Sequence, residues 1–431
     1  MKDFIEENGI VGAGGAGFPA HVKLRSRAET VIVNGAECEP LLHKDKELLV
    51  HRPAELLRGL TISMERVGAK RGVIAIKNKY QSVAELLSSK LPQGVELQWL
   101  TDTYPAGDEF ILAYDVTGRI IPPGGLPLDV GVLVQNVETL VNIAAGRPVT
   151  HKYLTVAGAV ANPVTLCVPV GISVEEVIRA AGGATAAQFD VLLGGVMMGR
   201  LVRSTSEPVT KTTGGLVVLP HDHRLIARYR LEWPQVSRIG KSACDQCCYC
   251  TELCPRFLIG HPIEPHKAMR ALGFRQESDE LVMGALSCCE CNLCSLYSCP
   301  EDLDPKNVCL HDKMQLREKG AQWSGDPASL QAHGLFRERR VPNRRLKLKL
   351  GLDRYTDTGP LVSVPLRPGR VVLPLQQHLG APCKATVKVG DRVQEGDLVA
   401  SPPEGKLGAR IHASISGTVK STEGAVIIEA S

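Results

Sequence analysis

Cys244-Asp245-Gln246-Cys247-Cys248-Tyr249-Cys250-Thr251-Glu252-Leu253-Cys254-Pro255 is the stretch that decides how this chain is organised. Three cysteines stand two residues apart, a fourth follows after three more, and a proline closes the run. Thiolates at this spacing wrap one corner of a cubane in a tight loop, and the proline starts the chain away. They suit iron because they are soft, charged donors. A second run, Cys288-Cys289-Glu290-Cys291-Asn292-Leu293-Cys294 and then Cys299-Pro300, repeats the pattern with one residue more in its last gap. Two such quartets predict two [4Fe–4S] clusters and one-electron chemistry. Paired zinc sites are the alternative, but zinc commonly uses C-x2-C pairs with longer spacers, not triplets ending in Cys-Pro.

In two-cluster ferredoxins the fourth cysteine serves the other cluster. By that resemblance Cys254 completes Cys288, Cys291 and Cys294, and Cys299 completes Cys244, Cys247 and Cys250. Cys248 and Cys289 are spares, with Cys289 able to replace Cys288 if the longer gap distorts the loop. Ten of the 14 cysteines lie between Cys244 and Cys299; Cys38, Cys167, Cys309 and Cys383 are scattered and read as small buried hydrophobes. Clustering of this kind points to metal in a reducing compartment rather than to disulfides.

The rest of the composition narrows the class. At 431 residues the chain has room for about three domains. A net charge of +4 and 4% aromatic residues give little reason to expect nucleic acid. No apolar run reaches the roughly 18 residues of a membrane span, and the acidic N-terminus (Asp3, Glu6, Glu7) lacks a secretory pattern. A cytoplasmic protein is expected.

Working outward from the cysteines, residues 1–148 alternate strand-like runs (Thr30–Val33, Gly72–Lys77) with helical ones (Pro53–Val67, Ser82–Leu91). That alternation predicts an α/β domain with a largely parallel sheet. Residues 149–222 form a smaller α+β unit with strands at Tyr153–Val160, Val191–Gly195 and Leu216–Pro220. Its helix, Ser173–Ala181, opens on a capping box of Ser173 and Glu176. Residues 223–320 carry the cysteines among short helices. Residues 321–360 are basic and read as a solvated connecting segment. Residues 361–431 are β-rich, with turns at Gly390-Asp391, Gly396-Asp397 and Ser416-Gly417, as in a small barrel or sandwich.

Gly12-Ala13-Gly14-Gly15-Ala16-Gly17 formally matches G-x-G-x-x-G, and Glu37 lies 20 residues beyond Gly17. A Rossmann fingerprint needs a strand before the loop. Here the acidic Ile5–Asn8 precedes it and Phe18-Pro19 follows, so the loop suits backbone approach to phosphate while the ordinary βαβ frame is doubtful. A flexible turn is the alternative.

Val11 to Pro19, with Lys23 after it, resembles the flavin loop of the NADH-binding subunit of respiratory complex I, and more closely that of the RnfC component of Rnf complexes. Val33-Asn34-Gly35-Ala36-Glu37-Cys38-Glu39-Pro40, Tyr104-Pro105-Ala106-Gly107-Asp108-Glu109 and Gln135-Asn136-Val137-Glu138-Thr139 resemble three further signatures of these proteins. Residues 151–220 resemble their soluble-ligand-binding β-grasp domain (SLBB). Residues 361–431, with Leu375-Gln376-Gln377-His378, resemble the barrel-sandwich hybrid domain; the lysine hairpin needed for biotin or lipoate is not evident. In RnfC the barrel-sandwich domain comes first. Here it comes last, an order similar to that of the cobalamin reductases of propanediol-utilisation microcompartments.

The resemblance implies a multidomain α/β and α+β protein: a Rossmann-like FMN/NADH domain (1–148), a β-grasp domain (149–222), a ferredoxin-like two-cluster domain (223–320), the basic segment (321–360) and the barrel-sandwich domain (361–431). It implies NADH and FMN as partners of the clusters, since a flavin can divide a hydride's electron pair for one-electron acceptors. Gly12, Gly14, Gly15 and Gly17 would give clearance or N–H groups to FMN and nucleotide. Phe18 would stack, Lys23 would pair with phosphate, and Asn34, Glu37, Glu39 and Asn136 would hold polar edges of flavin or ribose. Glu109 would face the nicotinamide nucleotide. The implied acceptor is cobalamin, the implied partners a corrinoid-handling adenosyltransferase and microcompartment shell proteins, and an oligomer is compatible with all of this. No cobalt-ligating motif is evident; His221, His261 and His266 read as structural. Rival readings are an electron-input component of a membrane ion pump, a microcompartment reductase for another acceptor, and a non-enzymatic carrier or scaffold.

Overall fold

The computed structural model describes residues 3–274 and 279–430. The first region is built on four parallel strands, in the spatial order Val95–Leu100, Arg71–Lys77, Thr30–Gly35 and Val132–Asn136. The two inner strands are apolar on both faces, as parallel strands covered by helices must be. Val31 and Val33 enter one core with Leu56, Leu60 and Leu140, while Ile32 enters another with Val73, Val132 and Leu112. Helix Pro53–Val67 begins on its proline and ends on Gly68, whose φ of +72° is left-handed. It lies close on helix Val137–Ala145, because a Cβ on Gly59 would stand 2.1 Å from the Leu140 carbonyl oxygen. The helix expected over Ser82–Leu91 runs Gln81–Ser88.

The β-grasp region is a mixed six-stranded sheet containing His151–Gly158, Val164–Pro169, Phe189–Leu193, Arg200–Leu201 and Gly215–Pro220. Its helix, Val174–Ala180, carries the capping box on Ser173 and Glu176. The sixth strand, Leu361–Val362, is contributed from beyond the cysteines.

The basic segment departs from the expectation of a solvated connector. Val341–Pro342 pairs with Thr103–Tyr104 of the first region. Arg340 forms an ion pair with Asp115 at 2.8 Å. Helix Asn343–Leu350 buries Leu346 and Leu350 while Arg344, Arg345 and Lys349 stay exposed. The charges hid an i, i+4 apolar pair, each member worth about 1.5–3 kcal/mol when buried. One core then joins four regions: Leu41 and Tyr104, Leu192 and Val217, Cys291 and Leu296, and Val341 with Leu346 and Leu350.

Among the described residues from 370 onward, two small sheets enclose Val371, Leu373, Val399, Ile411, Val419 and Ile428. The expected turns are present, with Asp391 and Asp397 each accepting an N–H bond at 2.7 Å from Lys388 and Gln394.

Candidate flavin and iron–sulfur site

From the inner strand Thr30–Gly35 the chain crosses to Arg71–Lys77 and Val95–Leu100 on one side. It returns on the other side as Val132–Asn136. In open parallel sheets ligands bind at such a reversal, outside the carboxyl ends of the strands. Asn34 and Asn136 are register partners at that end, and the glycine loop lies against Asn136. A Cβ on Gly14 would stand 2.6 Å from the Asn136 Nδ2.

The loop follows a short helix, Phe4–Glu7, rather than a strand, and closes through a single bridge between Val11 and Pro19. The ordinary Rossmann frame is therefore absent. Gly12 N–H donates to the Phe18 carbonyl at 2.9 Å. Ala13 N–H donates to Thr139 Oγ1 at 2.9 Å, and Lys152 Nζ donates to the Ala13 carbonyl at 3.1 Å. With its base pinned, the loop holds Gly14, Gly15 and Ala16 exposed, and nothing lies within 4 Å of a Cβ on Gly15. Lys23 Nζ reaches Glu109 at 3.2 Å and the Val134 carbonyl at 3.4 Å, and stands 6.0 Å from the Phe18 ring centre. The structure thus brings Gly14, Gly15, Phe18, Lys23, Glu109 and Asn136 to one end of the sheet.

Three of the expected residues make contacts of their own within the protein. Gly17, at φ +74°, faces Thr212 of the β-grasp region and His378 of the C-terminal region, with a Cβ only 2.7 Å from Thr212 Cγ2. Glu39 accepts N–H bonds from Met197 and Met198 at 2.9 and 2.8 Å, fastening a β-grasp loop, and burial pushes its carboxyl up to about 7. Asn34 is bonded to the Gly107 carbonyl at 2.8 Å and to Ala36 N–H at 3.2 Å.

Beneath the loop lies a buried charge cluster, of which sequence reading singled out Glu37 and Asn136 but not Lys44, Asp45 or Lys152. Asn136 Nδ2 donates to Asp45 at 2.8 Å, and Asp45 N–H donates to Glu37 at 2.9 Å. Lys44 bridges Asp45 at 2.8 Å and Glu138 at 3.0 Å, and Glu138 also pairs with Lys152. Burial, helped by Asp45, pushes the Glu37 carboxyl up to about 8; burial brings Lys152 down to about 8. Asn136 is thereby held in one orientation beside Gly14. Lys44 and Asp45, in a helix outside every recognised signature, gave no signal.

The two cysteine quartets fold alike. Gln246 and Cys248 in the first, and Glu290 and Asn292 in the second, all have φ between 61° and 67°. Four non-glycine residues in that region mark a functional constraint. They stand two and four residues after Cys244 and Cys288 respectively, so Cys288 is the counterpart of Cys244, and Cys289 that of Asp245. Cys254 and Cys299 share one extended conformation (φ −69° and −72°, ψ 120° and 119°). The extra residue of the second run is absorbed where the first has the α-turn Tyr249–Glu252 and the second the π-turn Cys294–Ser298.

The thiols group across the quartets. Those acting on Cys250 are Cys244, Cys247, Cys299 and Cys248, and those acting on Cys254 include Cys289 and Cys288. All are free, and Cys244, Cys288 and Cys299 accept bonds from Gln246, Glu290 and Leu303 at 3.1–3.4 Å. Among the described residues no three His, Cys, Asp or Glu side chains converge on one metal ion. A cubane spreads its thiolates over four irons, so this donor set fits two clusters. Cys309, read as a small buried hydrophobe, is 1% exposed and contacts the Cys288 thiol.

The cysteine-bearing segments around Cys254 and Cys291 adjoin the first region. Tyr104 Oη donates to the Cys291 carbonyl at 2.9 Å, and Arg256 pairs with Asp108 at 2.8 Å. Because Asn34 bonds Gly107, a short bonded path runs from the sheet end to the cysteines.

Family models match along the chain: the Nuo51 FMN-binding domain over residues 5–145, the SLBB domain over 153–201, the 4Fe-4S dicluster domain over 243–304 and the RnfC barrel sandwich hybrid domain over 353–431. The chain is therefore an FMN and iron–sulfur electron-transfer protein. It is 45% identical to the cobalamin reductase PduS of Salmonella typhimurium (strain LT2), covering 97% of this chain and 94% of that protein. The same protein of Citrobacter freundii is 43% identical over 97% of this chain and 94% of its own length. One component of the Na(+)-translocating ferredoxin:NAD(+) oxidoreductase complex of Acetobacterium woodii is 35% identical over 59% of this chain and 57% of its own. The chain belongs to the PduS cobalamin reductase family. Among the described residues no helix is long and apolar enough to cross a membrane.

Proposed function

We propose that this protein is an NADH-dependent cobalamin reductase. The overall change would be NADH + 2 cob(III)alamin → NAD+ + H+ + 2 cob(II)alamin, with a further electron carrying cobalt toward cob(I)alamin. The observation that supports it most is the bonded path Asn34–Gly107 and Tyr104–Cys291, which ties the glycine loop's end of the sheet to a cysteine quartet.

FMN, when bound, supplies the conversion between two-electron and one-electron transfer. Gly14 and Gly15 offer backbone without side chains to its approach, and Asn136, fixed by Asp45, offers a polar edge. Lys23 brings a cation beside Phe18, and Glu109 holds that cation in place. Glu37, as a protonated carboxyl below pH about 8, keeps the buried acids beneath the loop from adding another negative charge. Tyr104 holds the Cys291 carbonyl while Arg256 clamps Asp108, so the distance between the two halves is set by buried contacts.

Reduced cobalt would pass to an adenosyltransferase, with both proteins inside a bacterial microcompartment. The test is anaerobic purification followed by NADH oxidation with hydroxocobalamin, with and without added FMN. FMN-dependent growth of the cob(II)alamin spectrum, with about eight irons per chain, is expected. Fast reduction of dyes without any corrinoid reduction would overturn the acceptor and point to a ferredoxin or membrane partner.

A further inference from the structure

A half-open cavity of about 690 Å³ lies between the β-grasp stretch 199–207, the Arg228-Tyr229 pair and the cysteine-bearing stretch 292–307. That is within the roughly 300–1,000 Å³ of small-molecule sites. None of the flavin-loop residues lines it.

Its position is defined by the two quartets. Asn292 and Ser295, on its wall, are direct neighbours of Cys291 and Cys294. Across from them Arg228 donates to the Leu303 carbonyl at 2.6 Å, and its charge acts on the Cys299 thiol. A ligand here would lie against chain neighbours of Cys291 and Cys294 and against Arg228. The walls are fixed: Tyr229 Oη donates to the Val196 and Met197 carbonyls at 3.0 Å, and Asn292 Nδ2 to Met197 at 3.1 Å.

The lining is cationic. Arg200, Arg203, Arg228 and Lys306 face two acids, Glu207 and Asp304. Arg200 is paired with Glu207 at 2.6 Å. Asp304 is taken by Ser295 at 2.7 Å and Asn307 at 2.6 Å. Arg203 and Lys306 therefore stand with no carboxylate partner among the described residues; Lys306 Nζ has only Asn307 Oδ1, at 3.0 Å. Two cations without a carboxylate partner beside the cysteine-bearing stretch suit an acceptor that carries an anionic group such as a phosphodiester.

Resting on the reading of the protein as a cobalamin reductase, we infer that this cavity receives the corrinoid, with its phosphodiester at Arg203 and Lys306 and part of the ring system outside. The bound corrinoid would take one electron at a time, Co(III) to Co(II) or Co(II) to Co(I), from a reduced cluster held by the neighbouring cysteines, which would be left oxidised. No bond to the protein forms.

The test uses the holoenzyme carrying Arg203→Glu together with Lys306→Glu. Arg203 is exposed, and an acid in the first turn of helix Pro305–Glu318 suits the helix dipole. The readout is the ratio of kcat/KM for hydroxocobalamin to kcat/KM for a neutral quinone, menadione, on one sample, which cancels any loss of flavin or iron. A fall of at least tenfold, carried by KM and shrinking in high salt, is expected. An unchanged ratio would overturn the site and leave the reductase standing. If the unaltered enzyme reduces menadione but not hydroxocobalamin, the reductase reading falls and takes the corrinoid site with it.

Discussion

The two cysteine quartets share one backbone design at two depths. In the first, Cys247 is exposed and Tyr249 beside it is 51% exposed. In the second, Cys291 and Cys294 are buried, and Tyr104 covers the Cys291 carbonyl. The design is set by the left-handed residues at matching positions; the depth is set by what packs outside. One quartet is therefore an inner station against the flavin-binding region, and the other an outer station at the surface. Burial, charge and hydrogen bonds to sulfur tune such clusters over a wide range of potential, so similar loops need not hold similar clusters.

The largest expected effect comes from cutting the inner station. Cys291→Ala should remove about four of eight irons and slow NADH-driven acceptor reduction by about a hundredfold or more, roughly 2.7 kcal/mol in barrier. Cys247→Ala should cost as much iron yet leave the remaining cluster reducible by NADH, seen by low-temperature electron paramagnetic resonance. If Cys247→Ala instead blocks that signal, the inner and outer assignments are reversed. A chelator under mild oxidation should bleach the clusters in two phases, the first assigned to the outer quartet by its loss in Cys247→Ala. A single phase would remove the difference in depth.

Tyr104→Phe should be milder. It deletes a buried bond worth about 0.5–1.5 kcal/mol, lowering the unfolding midpoint slightly and shifting the spectrum of the inner cluster alone. The smallest effect concerns pH. Glu39, near Tyr104, titrates at about 7 in the folded protein because it is buried, above its ordinary unfolded value. The folded state then binds the proton more tightly, so the stability Glu39 contributes is present at acid pH and lost as pH rises through about 7. Glu39→Gln should flatten that slope in thermal melts; an unaltered slope would assign it to other groups.

Much of this was legible in the sequence. The cysteine spacing carried both clusters, and the helix at Pro53–Val67 starts on its proline as expected. What spacing did not reveal is how an extra residue is accommodated; only the backbone shows the π-turn that makes Cys288 the equivalent of Cys244. For Gly17 and Glu39 the sequence could not show the contacts with other regions, because glycine and glutamate look the same whether they serve a ligand or a neighbouring domain. Gly17 is a glycine for its φ and for Thr212, and Glu39 is buried for the β-grasp loop. The basic segment misled for a similar reason, its charges being the visible half of an amphipathic helix.

The contact of Gly17 with Thr212 and His378 also bears on biosynthesis. The glycine loop leaves the ribosome early, but one of its walls is made by residues some 360 positions further on (378 − 17 = 361). A nascent chain paused anywhere before that wall carries an unfinished loop. Gly17 therefore gains its full packing only late in translation or afterwards.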